Sequence, residues 1–346
     1  MKTKYIFSLV LLFVSFAFQV SVDPIFHKPS NFPKPVYDFS KNQLSSDKIL
    51  LGRTLFYDPI LSRNNMISCS SCHSQFSSFT HIDHALSHGI EDKIGFRNSP
   101  ALINLAWQSS FMRDGAINHL DMQALAPISN PVEMDENIGD LVSKLQKSRP
   151  YVNLFYKAYG DSLITGEHLL KSLSQFMLTL ISAESKYDSV MRKQVIFTNQ
   201  EKRGYSLFQK NCSSCHTEPL FTNNEIMNNG LCLDSSLNDF GRFRVTSNPL
   251  DSFKFKVPTL RNIEFTYPYM HDGRFKSLNL VLKHYTNGIT HSANLAKELQ
   301  NPIDLSSNDK VDLIAFLLTL TDRKFLFNPE YFYPKEIFSE IVKDRE

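Results

Sequence analysis

The chain has 346 residues, 42% of them hydrophobic, and its 37 Lys and Arg against 35 Asp and Glu leave a formal charge of +2. That much apolar chain can fill two cores of ordinary domain size, whereas so small a net charge, without any basic run, argues against a nucleic-acid partner. In chain order, Met1-Lys2-Thr3-Lys4 and the apolar stretch at residues 5–18 read as the n- and h-regions of a secretory signal over residues 1–21. The stretch is short for a membrane span. Only Ala17 and Ser21 offer a cleavage site, so retention as an uncleaved anchor is the alternative. Residues 22–45, with Pro24, Pro29, Pro33 and Pro35, predict an extended arm.

Beyond the arm the predicted elements are helices. Apolar residues recur at helical spacing over 138–147, 168–183, 200–210, 278–285 and 309–320. Thr198-Asn199-Gln200-Glu201 and Ser306-Ser307-Asn308-Asp309 read as helix starts. The expected fold class is all-α with minor strand content.

Between these segments Cys-Ser-Ser-Cys-His occurs twice, at residues 69–73 and 212–216. In each copy two thiols can form thioethers to one haem while the adjacent imidazole ligates its iron. Cys69, Cys72, Cys212 and Cys215 are thus candidate attachment residues, and His73 and His216 candidate iron ligands. Zinc knuckles or disulfides are the other uses of C-x-x-C. The histidine in both copies and the export signal argue against them. Cys232 is left over and reads as a free buried thiol.

The repeat extends past these motifs. Gly52-Arg53-Thr54-Leu55-Phe56 precedes the first and Gly204-Tyr205-Ser206-Leu207-Phe208 the second; Phe79-Thr80 and Phe221-Thr222 follow. Pro100, Leu102, Asn104, Met112, Asp114, Gly115 and Leu120 recur 158 residues later, as Pro258, Leu260, Asn262, Met270, Asp272, Gly273 and Leu278. The two cysteine motifs are 143 residues apart, so the second copy carries fifteen additional residues between motif and block. Internal duplication into two cytochrome c-like domains, 22–196 and 197–346, each with one covalent haem c, follows from that pattern.

Two haems suit an electron carrier or an enzyme. A peroxidase needs an open iron and a group that moves a proton from the inner to the outer peroxide oxygen. Glu133, in Asn130-Pro131-Val132-Glu133-Met134, is the candidate, with Gln123 to hold peroxide or water; a helix-start carboxylate is the plain reading of Glu133.

The run from Leu51 to Pro59, the first cysteine motif, Arg97-Asn98-Ser99-Pro100, Asn130-Pro131-Val132-Glu133-Met134, Val257-Pro258-Thr259-Leu260-Arg261-Asn262 and Tyr269-Met270-His271-Asp272-Gly273 together resemble the bacterial dihaem cytochrome c peroxidases and the related MauG enzymes, over residues 45–320. The resemblance implies a peroxidatic N-terminal haem served by Glu133 and Gln123, and an electron-transfer C-terminal haem. It also implies a calcium ion between the domains, held by the Asn98 side chain and by carbonyls near Lys256 and Pro258.

Three positions depart from the peroxidase pattern. Tyr285 falls where peroxidases place a methionine on the second iron, as in MauG, with Met270 and His284 as rivals. His88 falls near the histidine that caps the first iron in oxidised peroxidases, with His81 and His84 beside it. Arg113 takes the place of the tryptophan the family sets between the haems, Trp107 lying six residues earlier; arginine cannot relay a hole but can bind propionates.

The reading that results is a periplasmic peroxidase. It reduces hydrogen peroxide with electrons from a small exported donor, a c-type cytochrome or cupredoxin. A MauG-like oxidase and a dihaem electron carrier are the alternatives, and the resemblance admits a homodimer.

Overall fold

A computed structural model describes residues 25–345, so the secretory signal expected at residues 1–21 lies outside the described residues. The longer helices are α1 (Ser46–Tyr57), α2 (Ile138–Gln146), α3 (Arg149–Tyr159), α4 (Gly166–Thr179), α5 (Asn199–Asn211), α6 (Leu278–Asn287), α7 (Ser307–Leu318) and α8 (Lys335–Arg345). Strand is confined, among the described residues, to β1 (Ile226–Met227) and β2 (Phe255–Lys256), paired antiparallel with Ile226 opposite Lys256. The all-α expectation holds.

Two glycine-mediated crossings organise these helices. A Cβ on Gly52 of α1 would sit 1.8 Å from the Ser172 carbonyl of α4; one on Gly204 of α5 would sit 1.9 Å from the Asp312 carbonyl of α7. Only glycine lets the two backbones touch in this way. Each crossing carries the same aromatic triad: Phe56 lies 5.2 Å from Phe176 and 5.8 Å from Phe79, and Phe208 lies 5.1 Å from Phe316 and 5.4 Å from Phe221.

Capping sets the helix starts. Thr198 and Glu201 form a reciprocal capping box at α5, as do Ser306 and Asp309 at α7, both as read from the sequence. Helix α4 stops at Thr179, short of the expected 183. Beyond it the Asn104 amide donates to Leu180 O at 2.9 Å, and its side chain grips Ser182 O at 3.1 Å and Ser182 N at 3.0 Å. Those bonds hold residues 180–182 out of the helix, with a tight turn at Leu180 where the Ile181 amide donates to Thr179 O at 2.8 Å.

There are two main apolar cores. One collects Leu51, Phe56, Phe79, Trp107, Leu141 and Phe176; the other collects Phe208, Phe221, Leu282, Leu313 and Phe316. The chain's end returns to the first core, where Phe325, Tyr331, Phe338 and Ile341 are buried. Arg345 Nη2 donates to Asp58 Oδ2 at 2.7 Å there. The N-terminal arm is not the purely extended segment expected: it includes a 3-10 turn at Phe39–Lys41, Phe32 enters the first core edge-on to Trp107 at 5.0 Å, and Trp107 Nε1 donates to Pro33 O.

The additional residues of the second half, between β1 and β2, reach across to the first. Arg97 donates to Asp239 at 2.6 and 2.9 Å and to Asp114 at 2.7 Å, and Arg242 Nη1 donates to the carbonyls of Asp114 and Gly115.

Candidate functional site

Each Cys-Ser-Ser-Cys-His motif ends in an imidazole fixed by main-chain carbonyls. His73 Nδ1 donates to Phe79 O at 2.7 Å; His216 Nδ1 donates to Phe221 O and Pro258 O, both at 3.1 Å. Phe79 and Phe221 hold φ near +56° and +55°, which turns their carbonyls inward. Anchoring Nδ1–H leaves the Nε2 lone pair for a metal. Desolvation pushes His73 down to about 4 and lowers His216, which keeps both rings neutral and ligand-competent.

The four motif thiols are unpaired. Burial pushes Cys69 and Cys212 up to about 12 and Cys72 up to about 11, so all three are thiols as they stand. Among the described residues no three His, Cys, Asp or Glu converge as a metal site.

A single cavity of about 280 Å³ has walls drawn from both halves in matched pairs. Thr80, Pro100, Leu102, Leu105, Phe111 and Met112 face it from the first half; Thr222, Pro258, Leu260, Ile263, Tyr269 and Met270 do so from the second. Cys212, Cys215 and His216 open into it, whereas Cys69, Cys72 and His73 lie outside its lining. Apolar walls with paired thiols and a neutral imidazole fit haem c.

In the first half the structure sets Glu133 beside the attachment cysteines. Its carboxylate acts on both the Cys69 and Cys72 thiols, raising their pKa further. Glu133 is half-buried, and desolvation raises its pKa although Asn130 Nδ2 donates to Oε1 at 2.7 Å. A Cβ on Gly89 would lie 2.6 Å from Glu133 Cα, and the Ile90 amide donates to Glu133 O at 2.7 Å. That contact brings in His88: its carbonyl accepts from Cys72 Sγ at 3.5 Å, its Nδ1 meets Asp92 Oδ1 at 2.7 Å, and its ring lies 4.4 Å from His84. Gln123 faces the cavity with Nε2 3.8 Å from Met112 Sδ and is not hydrogen-bonded to Glu133.

In the second half Tyr285 and Met270 both line the cavity and share one partner, Asn229, whose Nδ2 lies 3.5 Å from the Tyr285 hydroxyl and 3.7 Å from Met270 Sδ. Desolvation raises the Tyr285 pKa, and the Cys212 and Cys215 thiols raise it further. His284 is buried with Nε2–H on Asn229 O, outside the lining. Asn229 carried no sequence signal. Cys232 is free but exposed rather than buried: it lies in the loop between β1 and β2, with Arg274 Nη1 3.3 Å from its sulfur.

With the cavity and both motifs in view, the comparisons are direct. The family model described as di-haem cytochrome c peroxidase matches residues 46–195. The methylamine utilization protein MauG of Methylorubrum extorquens is 33% identical over 305 residues, covering 85% of this chain and 83% of that protein. The chain belongs to the dihaem cytochrome c peroxidase and MauG family. Cytochrome c551 peroxidase of Nitrosomonas europaea is 32% identical over 283 residues, 80% of each chain. A solved MauG-like protein associated with microbial copper homeostasis superposes with a TM-score of 0.78 at 29% identity, covering 89% of this chain and 98% of that one. As a family member the chain is a haem oxidoreductase, and two haem c are its implied cofactors.

For a member of this dihaem family, the Asn98 and Pro258 oxygens expected to hold calcium are already engaged. Asn98 Oδ1 accepts from Arg113 Nη2 at 3.0 Å and Asn98 O from Arg113 Nε at 3.1 Å, while Pro258 O accepts from His216. The Lys256 amide donates to Arg113 O at 2.7 Å, and burial lowers its side-chain pKa to about 7. Calcium takes six to eight oxygens; a donor set already bonded to a guanidinium does not fit it.

Proposed function

We propose that the chain is a periplasmic dihaem peroxidase whose N-terminal half, residues 22–196, reduces hydrogen peroxide and whose C-terminal half, residues 197–346, receives the electrons. The paired glycine crossings and the matched cavity walls support an origin by internal duplication. When bound, the two haems supply the redox-active irons; the overall reaction consumes two electrons and two protons per peroxide and yields two waters.

The observation that carries this reading is the desolvated Glu133 carboxylate held against Cys69 and Cys72. Glu133 accepts the proton of the inner peroxide oxygen and returns it to the outer oxygen, which leaves as water. Its raised pKa brings acid and base roles closer to neutral pH. Gln123, facing the cavity, holds the peroxide or the departing water. His88 is the residue that would cap the first iron: the Asp92 carboxylate on Nδ1 leaves Nε2 free, the arrangement that supports ligating histidines. Electrons come from a small c-type cytochrome or cupredoxin.

Glu133→Gln tests this. The bimolecular reaction with peroxide falls roughly 100- to 10,000-fold, with both haem spectra intact. In the unmodified protein the rate falls as pH drops through the Glu133 pKa, above the ordinary carboxylate range, and the variant loses that dependence. An unchanged rate removes Glu133 from the mechanism. Tyr285, in the cavity beside the second attachment cysteines, favours one second reading: a MauG-like oxidase that takes electrons from a protein or organic substrate.

A further inference from the structure

The cavity wall at the junction of the two halves is cationic. Arg113 and Lys256 are the only arginine and lysine in the lining among the described residues. Arg113 Nε donates to Asn98 O at 3.1 Å, and its Nη2 to Asn98 Oδ1 at 3.0 Å and Ser99 O at 3.3 Å. Lys256 Nζ donates to Gln108 Oε1 at 2.5 Å and Ser110 O at 2.7 Å. All these acceptors are neutral, and Arg113 Nη1 has no hydrogen bond among the described residues. Nearby acids serve other arginines: Asp114 and Asp239 accept from Arg97, and Asp272 accepts from Arg274 at 2.8 Å.

A desolvated guanidinium with neutral partners alone is unfavourable and calls for an anion. The cavity opens onto Cys212, Cys215 and His216, and the two carboxylates of a haem held there would have no other Lys or Arg in the lining to meet. We propose that Arg113 and Lys256 form a carboxylate clamp that receives propionates of the haem held by the second motif and stands where the resemblance places calcium. The guanidinium presents a planar fork suited to carboxylate, and the ammonium adds a point charge. Asn98 then orients Arg113 rather than binding metal. This inference rests on the two-haem reading and not on the role given to Glu133.

The test uses the haem-loaded full chain, with two haems per chain verified by pyridine haemochrome. After equilibration with calcium and desalting, metal analysis finds no stoichiometric calcium, and a calcium chelator leaves the optical spectrum and thermal midpoint unchanged. About one calcium per chain, with a chelator-sensitive spectrum, would overturn the replacement. Redox titration of Arg113→Gln and Lys256→Gln shows a downward shift in at least one haem potential, because removing a cation beside a propionate favours ferric iron; Arg113→Lys shifts it less. Unchanged potentials in both glutamine variants overturn the clamp. Neither readout requires turnover, so failure of the peroxidase reading is seen separately, in the peroxide rate of Glu133→Gln.

Discussion

Thr80, Pro100, Leu102 and Phe111 in the first half are matched by Thr222, Pro258, Leu260 and Tyr269 in the second, yet the polar groups set among these walls differ throughout. The first half offers Gln123 to the cavity and holds Glu133 and His88 beside its attachment cysteines. The second offers Tyr285, Met270 and their common partner Asn229. One scaffold thus carries two chemistries through a handful of side chains, as expected where function is grafted on a repeated fold. The first set brings a carboxylate; the second brings a phenol and a thioether on one shared amide.

The largest effect that tests this contrast is the Glu133→Gln loss. It should stay confined to the first half, so that donor reduction of the second haem keeps its wild-type rate in the variant. Slowed reduction there would show that the two halves are not separable.

Next comes a position where the halves differ in packing. Arg261 and Asp188 form a fully buried pair at 2.8 and 2.9 Å, while the position 158 residues earlier is the buried Ile103. Arg261→Met leaves Asp188 uncompensated and should cost about 3–5 kcal/mol in denaturant melts. Burial raises the Asp188 pKa, but Arg261 more than offsets this and holds it below the ordinary value. The pair's contribution is therefore present above pH about 4 and lost as pH falls further through the folded-state pKa. The variant should lack that acid-dependent loss.

The crossings should behave alike. Gly52→Ala and Gly204→Ala each force a Cβ into a carbonyl, and each should cost about 1–3 kcal/mol or more; a large effect from only one would break their equivalence. Smallest are the caps. Ser45→Ala removes one bond to the Lys48 amide and Thr198→Ala a reciprocal box, for about 1 kcal/mol each, with Thr198 the larger.

The two Cys-Ser-Ser-Cys-His motifs were legible because their spacing is fixed, and the repeat because both halves keep the same crossing glycines and turn residues. Helices α5 and α7 announced themselves through caps. Helix α1 did not: Gly52 argues against helix on propensity and is there for the backbone contact with α4. Glu133 and Gln123 could be singled out from the resembling motif, but the Gly89 contact that places the His88 loop on Glu133 joins residues 44 apart. Arg113 was visible as a departure; its grip on Asn98 was not, since donor sets made of carbonyls leave no pattern. Nor could the sequence show that Asp239 reaches Arg97 or that the last helix returns to the first core, because both are long-range contacts that no local pattern announces.

The most direct test of the division of labour is stopped-flow absorbance with the haem-loaded protein, mixing hydrogen peroxide with diferric and half-reduced samples without donor. The account predicts that the half-reduced form reacts rapidly and the diferric form does not, since in it His88 would hold the first iron closed until the second haem is reduced. A fast diferric reaction that leaves a long-lived oxidised species would contradict it in favour of the MauG-like oxidase, and silence from both forms would leave an electron carrier.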